Sequence, residues 1–154
     1  MTGVQTCALP IYQGDGTAVI LAVHPAIATL SVHSDRNFPA RKARSTLDVG
    51  LADGTDDAAY LSALRTALDW IIDATRPDLI LYQAGVDVHV DDRLGRLALS
   101  DDGLAARDRL IASTARGLGI PLASVMGGGY GDDVMPVARR HAAVMRTCAA
   151  AYLE

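Results

Sequence analysis

The chain has 154 residues, half of them hydrophobic and only 5% aromatic, with a net charge of −4. That length suffices for one domain with a buried core, and an alanine-rich, aromatic-poor mix suits helices on a sheet better than a β-sandwich. The acidic balance excludes the basic footprint of a nucleic-acid binder; Arg36, Arg41, Lys42 and Arg44 gather locally but read as a solvated loop.

Cys7 and Cys148 stand far apart and in no metal-ligand spacing, so neither a disulfide framework nor a cysteine metal site is expected. No apolar run approaches the roughly 20 residues that cross a bilayer. The N-terminus lacks the basic-then-apolar order of a signal peptide. These features predict a cytoplasmic chain with no direct nucleic-acid or membrane partner.

In chain order, residues 1–11 show no usable periodicity and resemble translated sequencing-adapter sequence, so no chemistry is assigned to them. A short helix is expected over residues 14–23. Ile27–Val32 reads as a strand. Residues 34–55, rich in Pro, Arg, Asp and Gly, read as an unusually long connection, of the kind that often carries function. Tyr60, Leu61, Leu64, Leu68, Ile71 and Ile72 then recur at helical spacing, with Thr55 or Asp56 as the cap and Pro77 as the stop.

Asp78–Ala84 is a second strand. A helix follows over residues 101–118, capped by Ser100 and ended by Gly119. Pro121–Met126 is a third strand. The last helix begins near Asp132 and places Val134, Val137, Ala138, His141, Val144, Met145, Cys148 and Tyr152 on one side. Continuous apolar strands alternating with amphipathic helices predict an α/β fold, a parallel sheet flanked by helices.

Ligands of such sheets bind just beyond the carboxyl ends of the strands. The second strand runs into Gly85-Val86-Asp87-Val88-His89 and then Asp91, Asp92 and Arg93; the third runs into Gly127-Gly128-Gly129-Tyr130-Gly131-Asp132-Asp133. One edge would therefore hold carboxylates beside a glycine turn bearing a tyrosine, a setting for a metal and an oxyanion. Spacing alone leaves Asp87 open as a metal ligand or a turn cap. His89 reads as a surface or supporting histidine, His24 and His33 as buried and satisfied imidazoles, and His141 as packing on an apolar stripe. The acids at 53–57 lack calcium-loop spacing and read as a solvated helix start. A phosphate at the glycine turn is disfavoured by Asp132 and Asp133.

Tyr82-Gln83-Ala84-Gly85-Val86-Asp87, Asp91-Asp92-Arg93-Leu94-Gly95 and Gly127-Gly128-Gly129-Tyr130, in that order, resemble the C-terminal signatures of histone deacetylases and the bacterial acetoin-utilization-type deacetylases. Asn37-Phe38-Pro39, Ser45-Thr46-Leu47-Asp48-Val49 and Asp53-Gly54-Thr55 look most like the class IV branch, and Gln13-Gly14-Asp15-Gly16-Thr17 resembles the turn after that family's Asp-x-His zinc motif. The resemblance implies an arginase/deacetylase-type fold truncated on its N-terminal side, with residues 1–11 outside the family and residues 12–154 the C-terminal portion of the catalytic domain.

It further implies a zinc held by two aspartates and a histidine, a water activated on it, and a tyrosine hydroxyl stabilising the oxyanion. The substrate would be an acetylated lysine in a protein or peptide, or an acetylated amine. Residue by residue, Asp87 matches the later zinc aspartate and Tyr130 the oxyanion tyrosine, on Gly128 and Gly129, which let backbone pass close to substrate. Phe38 resembles a wall of the acyl tunnel; Ser31 and Val32 resemble positions around a structural monovalent cation such as K+. Where the family has Asp-x-His, this chain has Pro10-Ile11-Tyr12. Proline offers no ligand atom, and a phenol with a pKa of about 10 replaces imidazole poorly. The tandem histidines of the family belong to a preceding half. The chain is thus expected to be inactive as it stands. The competing expectations are a non-catalytic α/β module binding a small molecule or protein at the strand ends, and a non-functional fragment whose sheet edge self-associates.

Overall fold

The computed structural model describes residues 14–153 and, as a backbone strand, residues 4–8. In chain order the elements are β1 (Val4–Ala8), α1 (Asp15–Leu21), β2 (Ile27–Ser34), β3 (Leu47–Leu51), α2 (Asp57–Thr75), β4 (Leu79–Gly85), α3 (Asp101–Gly117), β5 (Leu122–Gly127) and α4 (Val134–Leu153). The strands form a parallel sheet in the order β3-β2-β1-β4-β5. The α/β architecture expected from the alternating pattern is the one observed.

The chain winds outward from β1 in both directions. Right-handed crossovers then place α1 on one face of the sheet and α2 and α3 on the other. In keeping with this, α2 packs on α3 and α3 on α4, while α1 meets β2. The strand order reverses between β1 and β4, and the crevice beyond their carboxyl ends is where such sheets bind ligands.

Local chemistry accounts for the helix ends. Asp56 caps α2 by accepting from the Ala59 amide at 3.0 Å, and α2 stops at Thr75, two residues ahead of Pro77. Ser100 caps α3 by accepting from Gly103 at 3.0 Å. Asp57 in turn accepts from the Ser100 amide at 2.8 Å and its hydroxyl at 2.6 Å, which ties the starts of α2 and α3 together. The core lies between the sheet and these helices, with Val32, Tyr60, Leu64, Ile71, Tyr82, Leu99 and Ile111 fully buried. Each such aliphatic or aromatic side chain contributes roughly 1.5–3 kcal/mol of burial.

Several expectations are corrected. Val4–Ala8, within the segment set aside in the sequence, is the middle strand, paired with both β2 and β4; five residues are too few to show a period. The long connection contains β3, an edge strand whose Asp48 and Gly50 disguise it and whose residues are alternately exposed. β5 is not covered on both faces, since Val125 and Met126 are mostly exposed. Along α4 only Val144 and Cys148 are fully buried, while Val134 and Tyr152 overhang solvent. His24 is exposed, because β2 begins only at Ile27 and His24 falls in the turn before it. The acids at 53–57 are more than a solvated start: Asp53 accepts from the Ser34 hydroxyl and meets Arg96 at 3.1 Å.

Candidate active site

The end of β4 is fixed from beneath. Arg107 of α3 has no exposed surface, and its Nη1 donates to the Gly85 carbonyl at 2.6 Å. Its Nε donates to Asp108 Oδ1 at 2.9 Å, its Nη2 stands 2.9 Å from the same oxygen, and Asp108 also accepts from the Tyr82 hydroxyl. The guanidinium carbon lies 5.7 Å from the centre of the Tyr82 ring. Burial works against the Arg107 charge, but Tyr82 and Asp108 hold its pKa above the ordinary value; burial pushes the Tyr82 hydroxyl well up. The cluster pins the last carbonyl of the strand two residues before Asp87.

Asp87 follows in a turn and is 2% exposed. Two glycines press on it. A Cβ on Gly95 would stand 1.9 Å from the Asp87 carbonyl oxygen, and one on Gly128 would stand 2.0 Å from its carboxylate Oδ2. Gly128 also has φ of 60°, a conformation that L side chains rarely adopt. The glycine turn after β5 is thus seated directly against the Asp87 carboxylate.

Asp92 organises the rest. Its carboxylate accepts from the amides of Leu94 at 2.9 Å, Gly95 at 2.7 Å and Tyr130 at 2.7 Å. The Arg93 amide donates to the Tyr130 carbonyl at 2.9 Å. Tyr130 is therefore held by its backbone to the loop after Asp87, with its residue 42% exposed. The sequence shows Asp92 as one acid in a cluster and as part of the Asp91-Asp92-Arg93-Leu94-Gly95 motif, without a role; that role follows from a loop conformation that spacing does not reveal.

His141 does more than pack on the apolar stripe expected from the sequence. Its Nε2 lies 3.2 Å from the Gly128 carbonyl, and since a carbonyl only accepts, that nitrogen carries the proton. The α4 helix thereby holds the glycine turn from behind. His89 is buried, takes the Asp91 amide on Nδ1 at 3.0 Å, and has Nε2 3.4 Å from Asp101. Arg140 joins both acids, at 2.9 Å from Asp91 and 2.8 Å from Asp101. His89 is a supporting histidine, as expected. Burial, then Arg140, lowers its pKa.

Phe38 is largely exposed, but its neighbour Asn37 shares a small cleft with Asp87. Ser31 and Val32 are buried in β2; Ser31 Oγ lies 2.9 Å from His33 Nδ1, and burial lowers the His33 pKa. His33 is the satisfied imidazole that the sequence predicts. Residues 10–13, with the substitutions at Pro10 and Tyr12, lie outside the described residues. Among the described residues no three His, Cys, Asp or Glu side chains gather to hold a metal ion.

Because Gly128 touches the Asp87 carboxylate, Gly128→Ala is expected to destabilise the chain by about 2–3 kcal/mol, part from positive φ and part from the clash. An Asp87→Ala background removes the carboxylate atoms at 2.0 and 2.2 Å and leaves only the Cβ at 2.7 Å, so a double-mutant cycle by urea unfolding should show coupling of about 1 kcal/mol or more; additive effects would refute the contact. A second outcome concerns pH. His33 and His89 both have folded pKa values lowered below about 6.5. Their contribution to stability is complete above that value and is lost as pH falls through the folded pKa values. The unfolding midpoint should drop between pH 7 and 5, and less steeply in His89→Gln; an unchanged slope would remove His89 from the account.

Comparison with known proteins accords with this geometry. The family model for the histone deacetylase domain matches residues 10–147. An uncharacterized protein of Picosynechococcus sp. is 44% identical over 144 residues, covering 94% of this chain and 48% of the relative. The chain thus spans about half the length of that relative. The fold superposes on an HDAC homolog complexed with SAHA, with a TM-score of 0.79 at 21% identity over 97% of this chain and 42% of the other. It also superposes on the acetylpolyamine aminohydrolase from Burkholderia pseudomallei, with a TM-score of 0.75 at 21% identity over 98% of this chain and 45% of the other. The chain belongs to the histone deacetylase family.

Proposed function

We propose that this chain carries the acyl-facing portion of a zinc-dependent deacetylase site whose activity belongs to a domain about twice as long, and that by itself it is inactive. The observation that carries the reading is the Gly128 backbone seated against the buried Asp87 carboxylate, with Tyr130 two residues further along. In that arrangement Asp87 supplies one metal ligand. The Tyr130 hydroxyl donates a hydrogen bond to the oxygen on which charge develops during attack on an amide carbonyl.

The residues of this chain do not fit zinc by themselves. One carboxylate is a small part of the three-ligand set of a catalytic site, and Pro10 and Tyr12 stand where the family's Asp-x-His would supply the others. The substrate class is an acetylated lysine or acetylated amine, with Phe38 along the acyl path, Ser31 and Val32 beside a structural cation such as K+, and a cytoplasmic setting. The names of the superposed proteins, an HDAC homolog and an acetylpolyamine aminohydrolase, favour acyl-amine chemistry.

The purified chain is expected to bind far less than one equivalent of zinc and to leave acetyl-lysine peptides intact. Joining it, with Pro10→Asp and Tyr12→His, to the upstream half of the Picosynechococcus relative should give a zinc-loaded hydrolase. In that chimera Tyr130→Phe should lower kcat roughly 100-fold or more with zinc content unchanged. Stoichiometric zinc in the chain alone, or full activity without the Tyr130 hydroxyl, would contradict the proposal.

A further inference from the structure

The C-terminal halves of α3 and α4 leave a groove of about 790 Å³ between them, within the size range of small-molecule sites. Arg109 and Arg116 line it from α3 and Arg146 from α4, together with Ser113 and Thr147, and among the described residues no Asp or Glu lines it. Three guanidinium groups thus share one concave surface in a chain of net charge −4.

Some surface arginines are answered by carboxylates, Arg93 by Asp132, Arg96 by Asp53, and Arg140 by Asp91 and Asp101, whereas others, Arg65 and Arg139 among them, form no ion pair among the described residues. Among the described residues Arg109 and Arg146 have no such partner. Arg116 has a structural task, since its Nη1 donates to the Ala151 carbonyl at 2.9 Å and it sits in the last turn of α3. A helix dipole favours cations there, but the effect fades within that turn. Arg109 and Arg146 stand about two turns from their helix ends, so the dipole does not account for them. Guanidinium groups sharing a concave surface repel one another, and an anion bridging them relieves that repulsion.

We propose that this groove is a binding site for a small oligophosphate anion, separate from the Asp87 rim. Planar guanidinium forks suit phosphate oxygens, and their charge persists at any physiological pH. The α3 helix begins at Asp101, beside the His89–Leu99 bridge of the rim. At 1.5 Å per residue, Arg109 and Arg116 lie about 12 and 22 Å further along. A nucleic-acid strand is the poorer occupant, because the groove lacks aromatic side chains for base stacking.

Calorimetric titration of the chain with tripolyphosphate at physiological salt tests the site. Saturable one-to-one binding is expected, weakened at least tenfold in Arg109→Ala/Arg146→Ala and unchanged in Arg65→Ala, which removes an exposed arginine of α2. Circular dichroism of the double variant should match the unsubstituted chain, as both arginines are exposed. Adenosine triphosphate in place of tripolyphosphate distinguishes two sources of the same chemistry: tighter binding marks a nucleotide, equal binding a plain phosphate chain. The proposal is overturned by absence of saturable binding, by an equal loss in Arg65→Ala, by sulfate binding as tightly at matched ionic strength (an adventitious ion only), or by affinity for oligonucleotides that exceeds tripolyphosphate and grows with their length.

Discussion

The guanidinium of Arg107 lies inside the interface between α3 and the sheet, and a charge so placed is tolerated only where its neighbours answer it. Asp108 neutralises it, Tyr82 offers its ring and shares Asp108 through its hydroxyl, and the Gly85 carbonyl accepts from it. An apolar residue of similar volume would fill the same space at less electrostatic risk. What it would not do is hold the last carbonyl of β4. The direction in which the chain leaves that strand, and so the place of Asp87, follows from this one hydrogen bond.

From that anchor the rim assembles by contact and by backbone hydrogen bonds. Val86 donates to Gly127 at 3.1 Å, extending the β4–β5 ladder past the strands. Gly128 then has no room for a side chain because the Asp87 carboxylate occupies it. Asp92 gathers the amides on the two sides of the crevice, and His141 holds the turn from α4. Parts contributed by residues 85–95 and 127–141 are thereby locked at the point where the sheet reverses its winding, beside β1.

Much of this was legible from residue order. The helical stripe from Tyr60 to Ile72 and the capping residues Asp56 and Ser100 are local signals, and they mark α2 and α3 closely. The motifs around Asp87 and Tyr130 pointed to one sheet edge because parallel strands bring their carboxyl ends together. The strand at Leu47–Leu51 escaped notice because an edge strand carrying Asp48 and Gly50 has weak apolar patterning. β5 looked fully buried because its apolar run cannot reveal what covers it. Arg107, Asp92 and His141 were invisible as site-builders for a shared reason: each also holds a distant backbone group, 22, 38 and 13 residues away respectively, and a carbonyl or an amide leaves no trace in a side-chain pattern.

Amide hydrogen exchange on Arg107→Lys, set beside the unsubstituted chain, tests most directly whether the buried guanidinium governs the rim. Lysine keeps the charge but not the fork that joins Gly85 to Asp108. The account predicts that the amides of Val86 and Tyr130, donors to Gly127 and Asp92, exchange roughly tenfold faster or more, while the interior of α2 around Leu64 keeps its protection. Equal acceleration throughout the chain, or unchanged protection at Val86 and Tyr130, would contradict it.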